Sequence, residues 1–291
     1  MVLPRLAAWV LALVVVAGCG HASSERRAGP LRVVATTTTL ASLAMGAAGP
    51  GADVRSLVPV GVSPEDFQPS PDSIAALSDA DVLVENGAGL EGWLEPTIRN
   101  SGNPNLRIVV CADGLPVVNG NPHLWMDPVF ARAYVDKIRD ALIAVDAPHA
   151  SAYRSATAAY DAQLEALRAR TRRKIATIPP ANRTMIVFHE AFDYYARRFG
   201  LRIVGAIEPV PGAEPNPAHL ADLIRQARSL HVRGVFAEHE YSDKLALTLA
   251  AAAGGLKVAF LYDDSLGTDP PVNNYIGMID TDTDTIASTL R

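Results

Sequence analysis

Cysteine is nearly absent: the 291 residues hold two, Cys19 and Cys111. Two cysteines so placed cannot build a zinc finger. An excess of positive charge is missing as well. Lys and Arg number 26 against 31 Asp and Glu, a formal net charge of −5, which argues against a nucleic-acid partner. The apolar run at residues 6–17 is too short for a comfortable membrane span. The two halves share a grammar of elements but not residues, so there is no tandem repeat. Nor is there a zinc-protease helix. His189-Glu190 opens like one, but the fifth position is Asp193 rather than histidine.

What is present starts at the amino terminus. Arg5, a short apolar core and small residues before Cys19 form the pattern of a bacterial secretion signal. Val16-Ala17-Gly18-Cys19 resembles a lipobox. That makes residues 1–18 a cleaved signal peptide, Cys19 a lipid-modified terminus and residues 19–30 a polar tether. Cleavage removes Arg5 alone among the charges, leaving 273 residues with 25 basic against 31 acidic, a net −6. With Cys19 lipidated, Cys111 stands alone and no intramolecular disulfide forms. It follows the apolar run at residues 106–110 and reads as a buried strand-end residue.

Near the middle of the chain, Tyr153, Ala156, Tyr160, Leu164, Leu167, Thr171, Ile175 and Ile178 recur at three- and four-residue steps. Charged residues fill the positions between them, so residues 148–178 are expected to form one long amphipathic helix. Pro148 and Pro179-Pro180 bracket it, and the basic cluster in its last turns suits the negative end of the helix dipole. On either side, short apolar runs alternate with helical stretches. In the first half the strands fall at residues 31–35, 53–60, 81–85 and 107–111. In the second half they fall at residues 184–187, 202–207, 234–237 and 257–261. This predicts an α/β protein of two lobes, residues 31–147 and 179–291. Each lobe carries a mostly parallel sheet flanked by helices, and the spine helix joins them. Residues 275–290 are expected to close the second lobe as a helix, although Asp280-Thr281-Asp282-Thr283-Asp284 is poor helix sequence.

The unusual polar residues sit at the carboxyl ends of the predicted strands, the edge where open α/β sheets bind ligands. Glu65 and Asp66 lie between prolines after the second strand, a feature that alone is ordinary solvated loop. Asn121-Pro122-His123-Leu124-Trp125-Met126-Asp127-Pro128 sets a histidine and a tryptophan just ahead of a helix. His189 follows one strand and Asp263-Asp264 follows another, where turn chemistry is the plain alternative.

Taken together and in order, these pieces resemble the metal-specific solute-binding lipoproteins of bacterial zinc and manganese ABC transporters, the TroA-like family. The matching segments are residues 121–128, residues 189–201, Glu214-Pro215-Asn216-Pro217, Val235-Phe236-Ala237-Glu238 and residues 261–267. The resemblance implies two lobes with one metal ion between them, and His123, His189 and Asp264 as three of its ligands. The family usually has Pro-His at the first ligand position. Here Pro64 is followed by Glu65, with Phe67 in the place of an aromatic residue, so Glu65 is the candidate first ligand and Asp66 its substitute. Glu238 is a candidate to orient a histidine ring from behind, and His239 and Glu240 are alternative ligands should Glu65 not serve. Trp125 and Phe67 are placed to keep water from the ion.

Two imidazoles with two carboxylates suit first-row divalent ions, and added carboxylate oxygen shifts preference toward harder ions such as Mn²⁺. Zn²⁺ tolerates the same set in tetrahedral geometry, and Fe²⁺ also fits. Residues 114–120 contain no histidine, unlike the His-rich loop of the zinc-specific branch. The resemblance thus implies a non-enzymatic, monomeric capture protein. It is lipid-anchored on the outer face of the cell membrane and delivers Mn²⁺, Zn²⁺ or Fe²⁺ to an ABC permease and its ATPase. A metal-dependent hydrolase with Glu190 as its base, or a surface adhesin on the same fold, are the competing classes.

Overall fold

The computed structural model describes residues 29–209 and 216–291. The signal peptide, Cys19, most of the tether and Glu214-Pro215 lie outside the described residues.

The N-terminal sheet holds β1 (Leu31–Ala35), β2 (Ala52–Ser56), β3 (Val82–Glu85) and β4 (Arg107–Val110) in the order β2-β1-β3-β4. The C-terminal sheet holds β5 (Thr184–Val187), β6 (Arg202–Ala206), β7 (Gly234–Glu238) and β8 (Lys257–Leu261) in the order β6-β5-β7-β8. Every neighbouring pair is parallel. In both sheets the chain leaves the centre in one direction and returns in the other. The topological switch therefore falls between β1 and β3 in one lobe and between β5 and β7 in the other, and a crevice opens there at the carboxyl edge.

The helices start where local chemistry dictates. The Thr37 hydroxyl caps α1 (Thr38–Ala48) by accepting from Leu40 N, and Ser70 with Ser73 forms a capping box ahead of Pro71 in α2 (Pro71–Asp79). α3 (Leu94–Ser101) follows. Asp127 accepts from Val129 N at the head of α4 (Pro128–Val145). Each such cap is worth about 1 kcal/mol. The expected spine is α5 (Ala150–Ala176), 27 residues and roughly 40 Å long. It buries Tyr153, Thr157, Leu164, Leu167, Thr171 and Ile175, so Thr157 rather than Ala156 faces fully inward. Gly46 lets α1 meet the spine: a Cβ there would lie 2.5 Å from the Tyr160 ring.

The C-terminal lobe continues through α6 (Asp193–Phe199), α7 (Pro217–Ser229), α8 (Lys244–Ala252) and α9 (Tyr275–Leu290). Helix α9 forms despite its Asp-Thr repeat because each aspartate has a use. Asp280 receives a forked contact from Arg170 at 2.6–2.8 Å, and Asp284 meets Lys174 at 2.7 Å, pinning α9 to the spine. Asp282 points the other way, is fully buried, and accepts from Tyr262 N at 3.0 Å.

One apolar core runs through both lobes. It joins the inner face of the N-terminal sheet to Trp125, Tyr153, Phe192, Tyr195 and Tyr275. Smaller cores lie between the C-terminal sheet and α7–α8, and between the N-terminal sheet and α2–α3. Strand β2 stops at Ser56, short of the expected residue 60, because the chain turns toward the other lobe at Gly61.

Candidate metal centre

The two carboxyl edges face one another, and the sequence-predicted residues converge between them. His123 stands on the loop before α4, and His189 lies two residues past the end of β5. Their Nε2 atoms are 3.1 Å apart and both rings are buried, at 3% and 1% exposure. Asp264 Oδ1 lies 3.3 Å from His123 Nε2, and Glu65 Oε1 lies 3.9 Å from the same atom. His123, His189 and Asp264 each offer an atom within 4.8 Å of the others.

Each ring is held from behind. Asn121 Oδ1 accepts from His123 N, so it is an acceptor for the ring Nδ1 at 2.9 Å as well. This leaves the His123 Nε2 lone pair aimed at the centre. Asn121 in turn donates to the Glu190 carbonyl at 2.6 Å. For His189, Glu238 accepts from Nδ1 at 2.7 Å and from the backbone N at 3.2 Å. A carboxylate behind an imidazole fixes its tautomer and strengthens it as a donor.

Electrostatics follow from these partners. Burial lowers the His123 pKa. For His189 burial works in the same direction, but Glu238 outweighs it and the pKa rises to about 10. Burial thus favours the neutral form of His123, and Glu238 favours the charged form of His189. Glu65 is pushed up to about 7 by burial and then by Asp264. Burial pushes the Asp264 carboxyl up, but the imidazoles beside it, His123 first, outweigh burial and hold it below the usual range.

The donor set fits a divalent cation. Two nitrogens each ~2.1 Å from one ion sit roughly 3.0–3.4 Å apart, as these do. Glu65 Oε2 and Asp264 Oδ1 are buried without a hydrogen-bond partner, a costly state for carboxylate oxygens that a cation relieves. Loops from both lobes close over the place. Ser63 Oγ donates to Asp264 Oδ2 at 3.2 Å and accepts from Glu65 N at 3.3 Å, and Gly61 N donates to Ser265 Oγ at 2.7 Å.

Several expectations are corrected. His239 is not at the centre: Glu238 faces inward, so the next residue along the strand faces out, and His239 stacks on Tyr262 with ring centroids 4.0 Å apart. Asp66 is exposed beside Glu65. Phe67 does not cover the ion but meets Trp93 edge-on at 4.9 Å, where Trp93 Nε1 also donates to Pro64 O and anchors the loop. Trp125 alone lies against His123, at 5.0 Å, and donates to Asp263 O. Glu190 is exposed.

Asn121, Ser63 and Asp263 were missed as working residues. Asn121 carried a usable signal, two positions ahead of a histidine within the same proline-bounded loop. Asp263 is fully buried, with Oδ1 accepting from Asp264 N and Oδ2 3.7 Å from His189 Nδ1.

Comparison with known proteins agrees with this geometry. The chain is 33% identical over 268 residues to the iron-binding protein YfeA of Yersinia pestis, covering 88% of this chain and 85% of that one. It is 29% identical over 289 residues to the manganese-binding lipoprotein MntA of Halalkalibacterium halodurans, covering 97% and 96%. Its fold superposes on the periplasmic zinc binding protein TroA from Treponema pallidum with a TM-score of 0.83 at 22% identity, over 90% of this chain and 99% of that one. Residues 33–289 match the family described as ZnuA, zinc-uptake complex component A, periplasmic, and the chain belongs to that family.

Proposed function

We propose that this protein captures a divalent transition-metal cation between its lobes outside the cytoplasm and passes it to an ABC permease with its ATPase. Glu65, His123, His189 and Asp264 are the ligands, and Mn²⁺, Zn²⁺ and Fe²⁺ are the candidate cargoes. The observation that carries this reading is the convergence of two Nε2 atoms, 3.1 Å apart, with two partnerless buried carboxylate oxygens. The names of the relatives, which include iron-, manganese- and zinc-uptake proteins, support the class of cargo. Binding needs both Nε2 lone pairs free, since imidazoles ligate unprotonated. No described helix is long and apolar enough to cross a membrane. In this reading the protein acts as a monomer held at the outer face by a lipid on Cys19.

The core shared by both lobes restricts opening to small shifts around the loops. The permease triggers release by favouring the open, weaker-binding arrangement. The test is elemental analysis and competition titration of the purified protein beside Glu65→Ala and His189→Ala. Wild type is expected to hold one equivalent of metal. His189→Ala should lose about a thousandfold or more in affinity and Glu65→Ala about tenfold to a hundredfold, at ~1.4 kcal/mol per decade. Wild type without tight metal, or Glu65→Ala binding as well as wild type, overturns the assignment.

A further inference from the structure

The two N-terminal ligands stand on different loops, yet both loops hang from one turn. Asn86 Nδ2 donates to Pro122 O at 2.9 Å, and Trp93 Nε1 donates to Pro64 O at 2.7 Å. Pro122 directly precedes His123, and Pro64 directly precedes Glu65. The carbonyl just ahead of each ligand is therefore held by residues 86–93, the turn between β3 and α3. A carboxylate knots this turn. Glu91 Oε1 accepts from Asn86 N and from the Thr36 hydroxyl, both at 2.7 Å, and Oε2 accepts from Gly87 N at 3.0 Å. Thr36 and Asn86 directly follow β1 and β3, so the knot lies at the switch point of this sheet, where open sheets usually hold a ligand. It also opposes backbone strain. Gly87, Ala88 and Gly89 have φ of 77°, 53° and 87°, and Ala88 carries a Cβ in a region such residues seldom adopt. Asn86 is fully buried with its side chain saturated: Oδ1 accepts from Tyr134 at 2.7 Å, and Nδ2 also reaches Gly87 O at 2.9 Å.

We propose that the turn at residues 86–93 sets the separation of Glu65 and His123, with Glu91 as its positioning residue. This rests on the four-ligand reading above. A planar peptide joins each proline carbonyl to the ligand residue after it, so a hydrogen bond to that carbonyl orients the ligand's backbone. Trp93 acts on Glu65 and Asn86 acts on His123. Glu91 acts on both, because its carboxylate holds Asn86 while its own carbonyl accepts from Leu94 N at 3.0 Å, at the start of the helix beside Trp93. The turn fixes the roots of the two loops. The adjustment left to the N-terminal half lies beyond Pro64, in the Glu65 side chain.

The experiment is a pair of double-mutant cycles, read by competition titration with Mn²⁺ or Zn²⁺, whichever wild type holds more tightly. Trp93→Phe keeps an aromatic ring against Phe67 and removes the N–H. Its affinity should fall about fivefold, the worth of one hydrogen bond. In the Glu65→Ala background the same change should cost less than about twofold, since the group it positions is gone. Glu91→Gln keeps one acceptor oxygen and turns an N–H toward a donor. It should cost about tenfold to a hundredfold in wild type, and still about fivefold in the Glu65→Ala background, because His123 is displaced as well. If Glu91→Gln does not fold, Thr36→Val takes its place, removes one of the three donors to the same carboxylate, and should cost about threefold in both backgrounds. A Trp93→Phe loss that is equal with and without Glu65 overturns the proposal, as does a loss at Glu91 or Thr36 that disappears with Glu65. Wild type that takes up neither ion, or Glu65→Ala that binds as tightly as wild type, overturns the four-ligand reading and this proposal with it. Wild type that binds, weakens with Glu65→Ala and fails the cycles overturns the turn alone.

Discussion

In the C-terminal lobe His189 and Asp264 stand just beyond parallel strands, almost wholly buried, with Glu238 and Asp263 behind them. In the N-terminal lobe Glu65 and His123 stand on loops, and the Glu65 side chain keeps 19% of its surface in solvent. The backing differs too: a carboxylate lies behind one imidazole and a neutral amide behind the other. The C-terminal half is thus set before any ion arrives and supplies the stronger nitrogen donor. The N-terminal half is adjustable and depends on its partner lobe to hold it, through Ser63 and Gly61.

This contrast can be broken at its strongest point first. Glu238→Gln should weaken metal binding by about tenfold to a hundredfold, and Asn121→Ala by less, about tenfold at most. Titration of both variants against one metal checks the order, and equal losses would erase the distinction between the two rings. Next is the contact across the lobes. Ser63→Ala removes both hydrogen bonds of that hydroxyl, of which the one to Asp264 crosses the lobes and is worth about 1 kcal/mol, so the affinity should fall roughly fivefold. Stopped-flow release into a chelator should place that loss in faster dissociation; a loss confined to the association rate would mean that Ser63 does not hold the closed loop.

The smallest expected effect concerns what supports the C-terminal half. Burial raises the Asp282 carboxyl well above its usual value. The folded chain therefore keeps a proton that the unfolded chain gives up. The stability this lends is complete below about pH 4 and is lost as pH rises through the raised value. Asp282→Asn cannot ionise and retains an acceptor for Tyr262 N. It should melt with wild type near pH 4 and roughly 2–4 °C higher at pH 8. Melting curves at the two pH values check this, and a difference independent of pH would remove the buried proton from the account.

The elements at the two sheet centres and the spine were legible because apolar periodicity alone specifies them. Glu65, His123, His189 and Asp264 were legible from four loops in a particular order, none decisive alone. Orientation was not. His239 and Glu238 are adjacent acid–base candidates in the sequence, and only the length of β7 decides which of them faces inward. The Asp-Thr run of α9 reads as poor helix sequence because its partners, Arg170, Lys174 and Tyr262 N, lie far away in the chain. Phe67 looked like a cover for the ion because nothing in its neighbourhood names Trp93 as its partner.

The apolar core common to both lobes has a thermal consequence. Spreading the lobes wide would bring Trp125, Phe192 and Tyr275 into contact with water. Newly wetted apolar surface raises heat capacity, at ~0.45 cal/K/mol for each Å². Movement confined to the loops at residues 57–68 and 261–267 leaves that surface dry. Cargo exchange of the proposed kind would then be an almost isocapacitive event, whose driving force changes with temperature far less than that of a hinge that opens through its core.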